Sequence, residues 1–344
     1  MLSRVADALY WMMRYVERAE NVARLVDVGL YLHVDLHAAQ TEARDNGATT
    51  AGPWAAVLRA TGDEDFYERS GADTSAYDVL RFMSFERENP NSILTCLARA
   101  RENARTIREV ISSEMWEQVN RAFLMVQRAS QEEGLLLRPH AFFKEVKLAS
   151  HLFHGLHADV MSHNEGWHFA RAGGLIERAD QGSRIASGHF SVILPKHEAS
   201  ESLEPSLVGL LKSMSGYEMY RKKYRRITPE RVLEFLLFDR QFPRSLYACL
   251  CGVQQSMSAI TGVVGSAEET MDRLLGRLVA RFAYADPKDL ELATLEAFLE
   301  AFRDELVAVD WAIRERFFGA APDEAEPPRS FQVTGAPGQV QSQG

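Results

Sequence analysis

Apolar residues recur along the chain in steps of three and four from its start. Val5, Leu9, Met12, Val16, Ala19, Ala23, Val26 and Leu30 share one side of a helical wheel, the pattern of a helix with a single buried stripe. The stripe predicts a helix from about Leu2 to His37, long enough to run through the middle of a bundle. A polar, Gly-containing loop follows from Gln40 to Gly52. Short helices are expected over Pro53–Ala60 and Asp63–Arg69, the second capped by Asp63, and another starts at a cap on Asp73 or Thr74 and ends before Asn89-Pro90. Asn91-Ser92 is a capping pair, and the segment it opens reaches about Gln131 with a bend near Ser112-Ser113. Pro139 is placed as a first-turn proline for a helix through His151 and His157.

The next helix is expected from Trp167 to Ala186. Gly188 to Pro195, with Phe190, Val192, Ile193 and Leu194, reads as a strand, but a single run makes no sheet, so it is assigned as a buried connection. Helices are then expected over Leu203–Lys212, Tyr217–Tyr224 and Pro229–Phe238, from Phe242-Pro243 to Val264, from Glu268 to Tyr284 and from Pro287 to Phe318. The fold class is all-α, a large bundle of about ten or more helices. No composition shift marks a linker before Phe318, so residues 1–318 read as one domain. Residues 319–344 are rich in Pro, Gly, Gln and Glu, have little to bury, and are expected to be disordered.

With 344 residues, 46% of them hydrophobic, the chain can bury a large core. Its net charge of −9 removes the global basic footprint of a nucleic-acid or anionic-membrane binder. The densest basic run, Arg221-Lys222-Lys223 with Arg225-Arg226, is short and reads as a solvated helix face or end. Cys96, Cys249 and Cys251 make neither a disulfide framework nor a tetrahedral metal set, which fits a reducing, cytoplasmic setting. Arg4, Asp7, Arg14, Glu17 and Arg18 interrupt the apolar N-terminal residues, so neither a signal peptide nor a membrane span is expected there.

The most informative feature is an internal echo. Glu17-Arg18-Ala19-Glu20-Asn21-Val22-Ala23-Arg24 is matched by Glu177-Arg178-Ala179-Asp180-Gln181-Gly182-Ser183-Arg184, and more faintly by Arg99-Ala100-Arg101-Glu102-Asn103-Ala104-Arg105. Positions 17, 20, 21 and 24 lie on one side of a helix, bordering the apolar stripe, as do 177, 180, 181 and 184. Charges at such a margin are partly desolvated and need partners. Two such helices packed face to face, with small Ala19 and Ala179 at the crossing, would bring Glu17, Arg24, Glu177 and Arg184 into one polar cluster. The cluster has two readings: a structural network that holds the pseudo-repeated helices together, or a ligand pocket. As a pocket, Arg24, Arg105, Arg184 and Arg244 offer planar forks to a carboxylate or phosphate. Glu17, Glu20, Glu177 and Asp180 would receive an ammonium, so a zwitterionic amino acid or peptide suits both halves.

Other candidates are weaker. His151, His154 and His157 step by three, and the outer two diverge by about 120° on a wheel of 3.6 residues per turn, so the three do not converge on a metal. Glu165 and His168 form a single Glu-x-x-His, where a dimetal bundle needs two such motifs and two more Glu. No phosphate-binding Gly loop, nucleophile elbow or H-E-x-x-H is present. Gly173-Gly174 inside a helical pattern points to a close helix approach, the alternative being access of a phosphate or carboxylate to the backbone. In Asp239-Arg240-Gln241-Phe242-Pro243-Arg244-Ser245, Asp239 ends or caps a helix. Arg244 falls in a first turn, where the helix dipole disfavours a cation, so an acidic partner or a ligand is expected for it.

Several blocks together resemble the bacterial alpha-E family. They are Leu2-Ser3-Arg4-Val5-Ala6-Asp7 through Tyr10-Trp11-Met12, Arg14-Tyr15-Val16-Glu17-Arg18-Ala19-Glu20-Asn21 with Arg24, Asn89-Pro90-Asn91-Ser92-Ile93, and Ala100-Arg101-Glu102-Asn103-Ala104-Arg105 with Arg108-Glu109. Glu114, Trp116 and Asn120, Glu165-Gly166-Trp167, Glu177-Arg178-Ala179-Asp180 and the Phe238–Ser245 block complete the set. The pattern departs from the family before Gly166-Trp167, where Asp159-Val160-Met161-Ser162-His163-Asn164 replaces a Thr-Met and a basic–acidic pair. The resemblance implies an all-helical protein encoded beside a circularly permuted ATP-grasp protein and a transglutaminase-like peptidase, sometimes with a proteasome-like peptidase. ATP-grasp enzymes join carboxylates to amines. The implied role is a helical partner in making or processing a peptide-like product, with no cofactor of its own. Its implied site candidates are Arg14, Glu17, Glu20, Asn21, Arg24, Asn103, Arg105, Arg108, Glu109, Glu177, Asp180, Arg184, Asp239 and Arg244. The alternative is a stand-alone enzyme with Glu17 or Glu177 as general base. A third option is a metal enzyme using Glu165 and His168.

Overall fold

The first apolar stripe folds as one long helix, α1 (Ser3–Glu42), with Leu9, Met12, Ala23 and Val26 sealed from solvent. The computed structural model describes residues 1–42, 53–69, 75–132, 138–198, 203–262 and 270–319. After α1 come α2 (Pro53–Thr61), α3 (Glu64–Arg69), α4 (Ala76–Phe85), α5 (Ile93–Thr106), α6 (Ser113–Ala129) and α7 (Pro139–Val160). They are followed by α8 (Glu165–Glu198), α9 (Glu204–Ser213), α10 (Tyr217–Lys223) and α11 (Pro229–Leu233), which runs into a π-helical turn at Glu234–Phe238. Then come α12 (Leu246–Thr261), α13 (Thr270–Tyr284), two 3-10 turns at Pro287–Asp289 and Leu292–Thr294, and α14 (Leu295–Phe318). Among the described residues there is no strand. No helix in them is long and apolar enough to cross a membrane.

Three expectations change. The segment opened by Ser92 is two helices, not one bent helix. Ser112 is extended (φ −70°, ψ 153°) and its hydroxyl accepts from the Met115 N–H, so a new N-cap replaces the helical bonds that would have carried α5 onward. The run Gly188–Pro195 is no connection but part of α8. Phe190 and Ile193 are buried, and Gly188 lies against Ala56 and Ala60 of α2, so packing overrides the local β-preference. Proline does not open the last helix: it starts a 3-10 turn, and α14 begins at Leu295. Asp73, Thr74, most of the Gln40–Gly52 loop and the tail from residue 320 lie outside the described residues. The cap of α4 is Ser75, whose hydroxyl accepts from the Asp78 N–H.

The centre is a parallel pair, α1 and α8. Contacts climb both helices together: the Met1 amino group meets Glu165, Gly173 meets Tyr10, and Arg14 meets Glu177. Helices α5 and α7 flank α1, and α12 and α14 flank α8. Helix α2 reaches across to α8, as α9 reaches across to α1. Each half therefore carries a long helix, a short-helix segment and a three-helix layer in the same order, α1–α7 and α8–α14, with corresponding helix pairs in contact. The main core lies between the halves, and a second cluster around Leu9, Met12, Ile107, Met115 and Phe153 fills the end near the first turns of α1.

The central pair depends on a glycine. A Cβ on Gly173 would overlap the carbonyl oxygen of Tyr10, so the two backbones touch where a side chain would separate them. Gly173→Ala is expected to lower stability by about 1–3 kcal/mol through overpacking. Gly276→Ala in α13, where a Cβ meets nothing within 4 Å, should raise it by up to about 1 kcal/mol. Urea unfolding of the two variants measures both, and equal shifts would refute the close approach.

Candidate functional site

Each Glu-Arg pair of the echoed sequence bonds its counterpart across the α1–α8 interface. Glu17 receives a fork from Arg178, Nε to Oε1 and Nη2 to Oε2, both at 2.8 Å. Glu177 receives Arg18 at 2.6 and 3.0 Å and Arg14 at 3.0 Å. Both carboxylates have zero side-chain exposure. Ala19 and Ala179, each 1% exposed, let the helices approach closely enough for the exchange.

Around this exchange lie two ionic networks. In the first, Glu177 also takes Gln181, and Arg14 passes on to Asp310 of α14 at 2.7 Å. Tyr10 also donates to Asp310. Arg18 reaches the Asn91 side-chain oxygen, and Asn91 donates to Asp63 at 2.9 Å. Asp180 and Arg184 pair one turn along α8 at 3.0 Å. In the second network, Arg244 bonds Glu17 at 3.1 Å, Asn21 at 3.2 Å and Glu20 at 2.8 Å. Arg24 pairs with Glu20 and bonds Asn21. From α7, His154 meets Glu17 at 3.0 Å and His151 meets Glu20 at 3.3 Å. No ion pair among the described residues joins the two networks, so the expected single cluster of Glu17, Arg24, Glu177 and Arg184 is resolved into two.

The electrostatics follow from burial. Desolvation alone would push the Glu177 carboxyl up, but Arg18 and Arg14 override it and hold it down to about 2. Glu17 is likewise held well below the usual carboxylate range, burial being outweighed by Arg178 and Arg244. Burial, then the neighbouring Arg244, pushes the Arg24 guanidinium well below its ordinary value. Burial also lowers Arg244, to about 10, against the pull of Glu17. Asp63 is pushed up by burial to about 6 despite its bond from Asn91.

Other candidates lie elsewhere. Asp239 accepts from the Gln241 and Phe242 N–H groups and from Lys223, and its carbonyl takes the Ser245 hydroxyl, so it shapes the loop that carries Arg244. Arg244 is not in a first turn: Ser245 is the N-cap of α12, and Arg244 precedes it, with the acidic partners that its position called for. Arg105 makes a surface pair with Glu102, Arg108 stacks over Trp116, and Asn103 and Glu109 share their stretch, away from both networks. The faint third copy on α5 thus joins neither. His157 stacks on Trp167 rather than facing His151 and His154. Glu165 pairs with the Met1 amino group, and among the described residues no group of three or more His, Cys, Asp or Glu is placed to hold a metal. A small apolar cavity between Val16, Leu97, Val146 and Phe153 has no residue of either network in its wall.

A second repeat escapes helical periodicity because it straddles a helix end, a loop and a helix start. Val79–Leu97 and Val232–Leu250 align without a gap, with nine identities in nineteen positions: Val79/Val232, Leu80/Leu233, Phe82/Phe235, Phe85/Phe238, Arg87/Arg240, Pro90/Pro243, Ser92/Ser245, Cys96/Cys249 and Leu97/Leu250. The structures of the two loops agree. Ser92 caps the Thr95 N–H and Ser245 the Ala248 N–H, while Cys96 and Cys249 each donate to a proline carbonyl, Pro90 and Pro243, at 3.6 Å. Asn91 and Arg244 occupy equivalent places, one in each network. Comparing the sequence with itself finds this repeat, and with it the equivalence of Asn91 to Arg244; the sequence places Asp63 and His151 only as a helix cap and a weak metal candidate, and no signal in it marks them as network residues.

These observations define a class: an internally duplicated all-α protein whose halves are joined by exchanged Glu-Arg pairs. Residues 1–318 match the Alpha-E family, described as a predicted alpha-helical domain with a conserved ER motif, and the chain belongs to that family. It is similar to an uncharacterized protein of Mycobacterium bovis and to uncharacterized proteins of two Mycobacterium tuberculosis strains. Each is 25% identical over 323 residues, covering 91% of this chain and 36% of the relative. The chain thus spans little more than a third of the length of these relatives. No solved structure matches it.

Glu177 supplies an acid-sensitive part of stability. Its folded-state value of about 2 lies below the ordinary 4.5, so its contribution is complete above pH 4.5 and drains away as the pH falls towards 2. Glu177→Gln should cost about 3–5 kcal/mol at neutral pH, because it leaves Arg14 and Arg18 buried with a neutral partner. The gap between wild type and variant should shrink on acidification through that window. Urea midpoints along a pH series check this, and a gap that stays constant would show that the carboxylate is not paired as described.

Proposed function

We propose that this chain is a binding subunit rather than a stand-alone acid–base catalyst. It serves as the helical partner of a circularly permuted ATP-grasp amide ligase, holding the ligase or an amino-acid or peptide-like ligand at the Glu/Arg network. A transglutaminase-like peptidase is a further partner in the same system. The observation that carries this reading is the state of the carboxylates. Glu17 and Glu177 are wholly buried, each is met by two guanidiniums, and both are held ionised far below neutrality. A general base needs a value near the working pH and a free lone pair; these groups have neither. Membership of the Alpha-E family brings in the ligase setting through the gene neighbourhood that the sequence resemblance implies.

The test is co-purification of the full chain with a circularly permuted ATP-grasp protein from the same genome, followed by amide-ligation assays with and without the chain. Stable association is expected, with ligation raised by about tenfold or more, the equivalent of about 1.4 kcal/mol. Ligation that is equal in the two assays, with no association, would overturn the reading.

A further inference from the structure

The duplication supplies an internal comparison, because two networks on equivalent backbones differ in charge. In the first, Arg14, Arg18 and Arg184 face Glu177, Asp310 and Asp180, with Asp63 close by. In the second, Arg24, Arg178 and Arg244 face Glu17 and Glu20 alone. Glu17 is consumed by the Arg178 fork, and Glu20 is divided between Arg24 and Arg244. The next acid along α1, Asp27, is already held by Lys147 and His140, each at 2.6 Å. His151 and His154 bring no negative charge. One buried guanidinium is therefore left in excess, and such a charge is costly unless an anion meets it. The Asn21 side-chain nitrogen, also buried, donates to nothing.

The difference between the halves is concentrated at this place. Where the first half has Asn91, the second has Arg244. The helix before Asn91 is regular to Phe85, whereas the one before Arg244 ends in the π turn Glu234–Phe238, a departure common beside functional groups. The N-terminus of the sixteen-residue α12 adds its positive end beside Arg244. His151 has 57% of its side chain exposed, while His154 has 24% and Glu20 and Arg24 have 1% and 4%. Its ring thus stands at the rim of the network, with Nε2 3.3 Å from the buried Glu20 carboxylate.

We infer that Arg24 and Arg244, with the amide of Asn21, form an oxyanion subsite between α1, α7 and α12, entered past His151, for the carboxylate or phosphate group of a ligand. This rests on the reading of the chain as a ligand-binding subunit and names the end of the ligand that the network takes. The ammonium end is not held by Glu17 or Glu177, whose oxygens are occupied by guanidiniums.

Direct titration calorimetry of the full chain, without any ligase, tests it. The probes are N-acetylglycine for the carboxylate, inorganic phosphate, and glycine ethyl ester as a cation without an anionic group. At least one anion should bind and the ester should not; which anion binds tells carboxylate from phosphate. Arg244→Asn installs the residue that the equivalent loop already folds around, and should weaken anion binding by about tenfold or more. His151→Glu alters only the exposed rim and should weaken it similarly by repulsion, which keeps the test available if Arg244→Asn fails to fold. No binding of either anion, or unchanged binding in both folded variants, would overturn the subsite. Anion binding that persists without any association with the ATP-grasp protein would instead overturn the ligase partnership and leave the subsite standing.

Discussion

The structure depends on one exchange of ions: Glu17 of α1 to Arg178 of α8, and Glu177 of α8 back to Arg18 of α1. Four charges are held in a region where Ala19 and Ala179 admit almost no water. Taking such groups out of water costs several kcal/mol per ion, and hydrophobic residues of the same shape would often pack as well. What the exchange adds is register. An apolar stripe alone tolerates a slide of one helix along another by a turn, because leucines and alanines three or four residues apart are nearly interchangeable. A slide here would strand two buried carboxylates and two guanidiniums at once. The backbone contact at Gly173 fixes the same alignment sterically, so the parallel pair has a single low-energy setting.

That setting decides where everything else can go. Once α1 and α8 are locked, the loops before α5 and α12 each deliver a residue to one network, Asn91 to Arg18 and Arg244 to Glu17 and Glu20, and their serine caps and proline carbonyls repeat each other in detail. The pseudo-symmetry is thus more than a likeness of element order. The same three tasks, capping a flanking helix, closing a turn on a proline and reaching the central ions, are done twice by equivalent residues. Only the reaching residue differs in charge.

Much of this was legible in the amino-acid sequence, and the parts that were not have identifiable causes. The eight-residue echo at Glu17 and Glu177 lies within single helices, so wheel geometry could place its polar face and anticipate the packing of α1 on α8. Arg244 was recognised as a cation in need of an acid, although its place just outside α12 depends on the Ser245 cap. Periodicity could not separate α5 from α6, because the apolar stripe continues through Ile107 and Ile111 although α5 ends at Thr106 and the cap at Ser112 starts a new helix. The Phe190–Leu194 run misled for the opposite reason: its residue types prefer strand locally, while the burial of Phe190 and Ile193 and the close approach of Gly188 to α2 go with a helix. Asn103, Arg105, Arg108 and Glu109 share residue types with the networks but sit at the end of α5 and in the turn after it, bonded to neither network, a placement that composition does not encode.

The two networks also show why a polar echo alone leaves its own meaning open. A charge cluster that exists to join helices reaches its lowest energy when every buried guanidinium has its own carboxylate inside the protein, which is the state of Arg14, Arg18 and Arg184 in the network around Glu177. Any excess there would be a standing cost on folding with no return. The network around Glu17 carries such an excess, on the same backbone, with the same helix pair to hold and with an acid-rich chain from which a third carboxylate was available. Glu20 and Asp180 are equivalent positions, yet Asp180 serves one arginine and Glu20 serves two. Structural need does not require that difference, because the copy around Glu177 joins the same helices with each guanidinium paired to a carboxylate. A buried guanidinium whose counter-charge comes from outside accounts for it directly, since its cost is offset only in the bound state, and that is the condition under which a ligand or partner is held rather than merely accommodated.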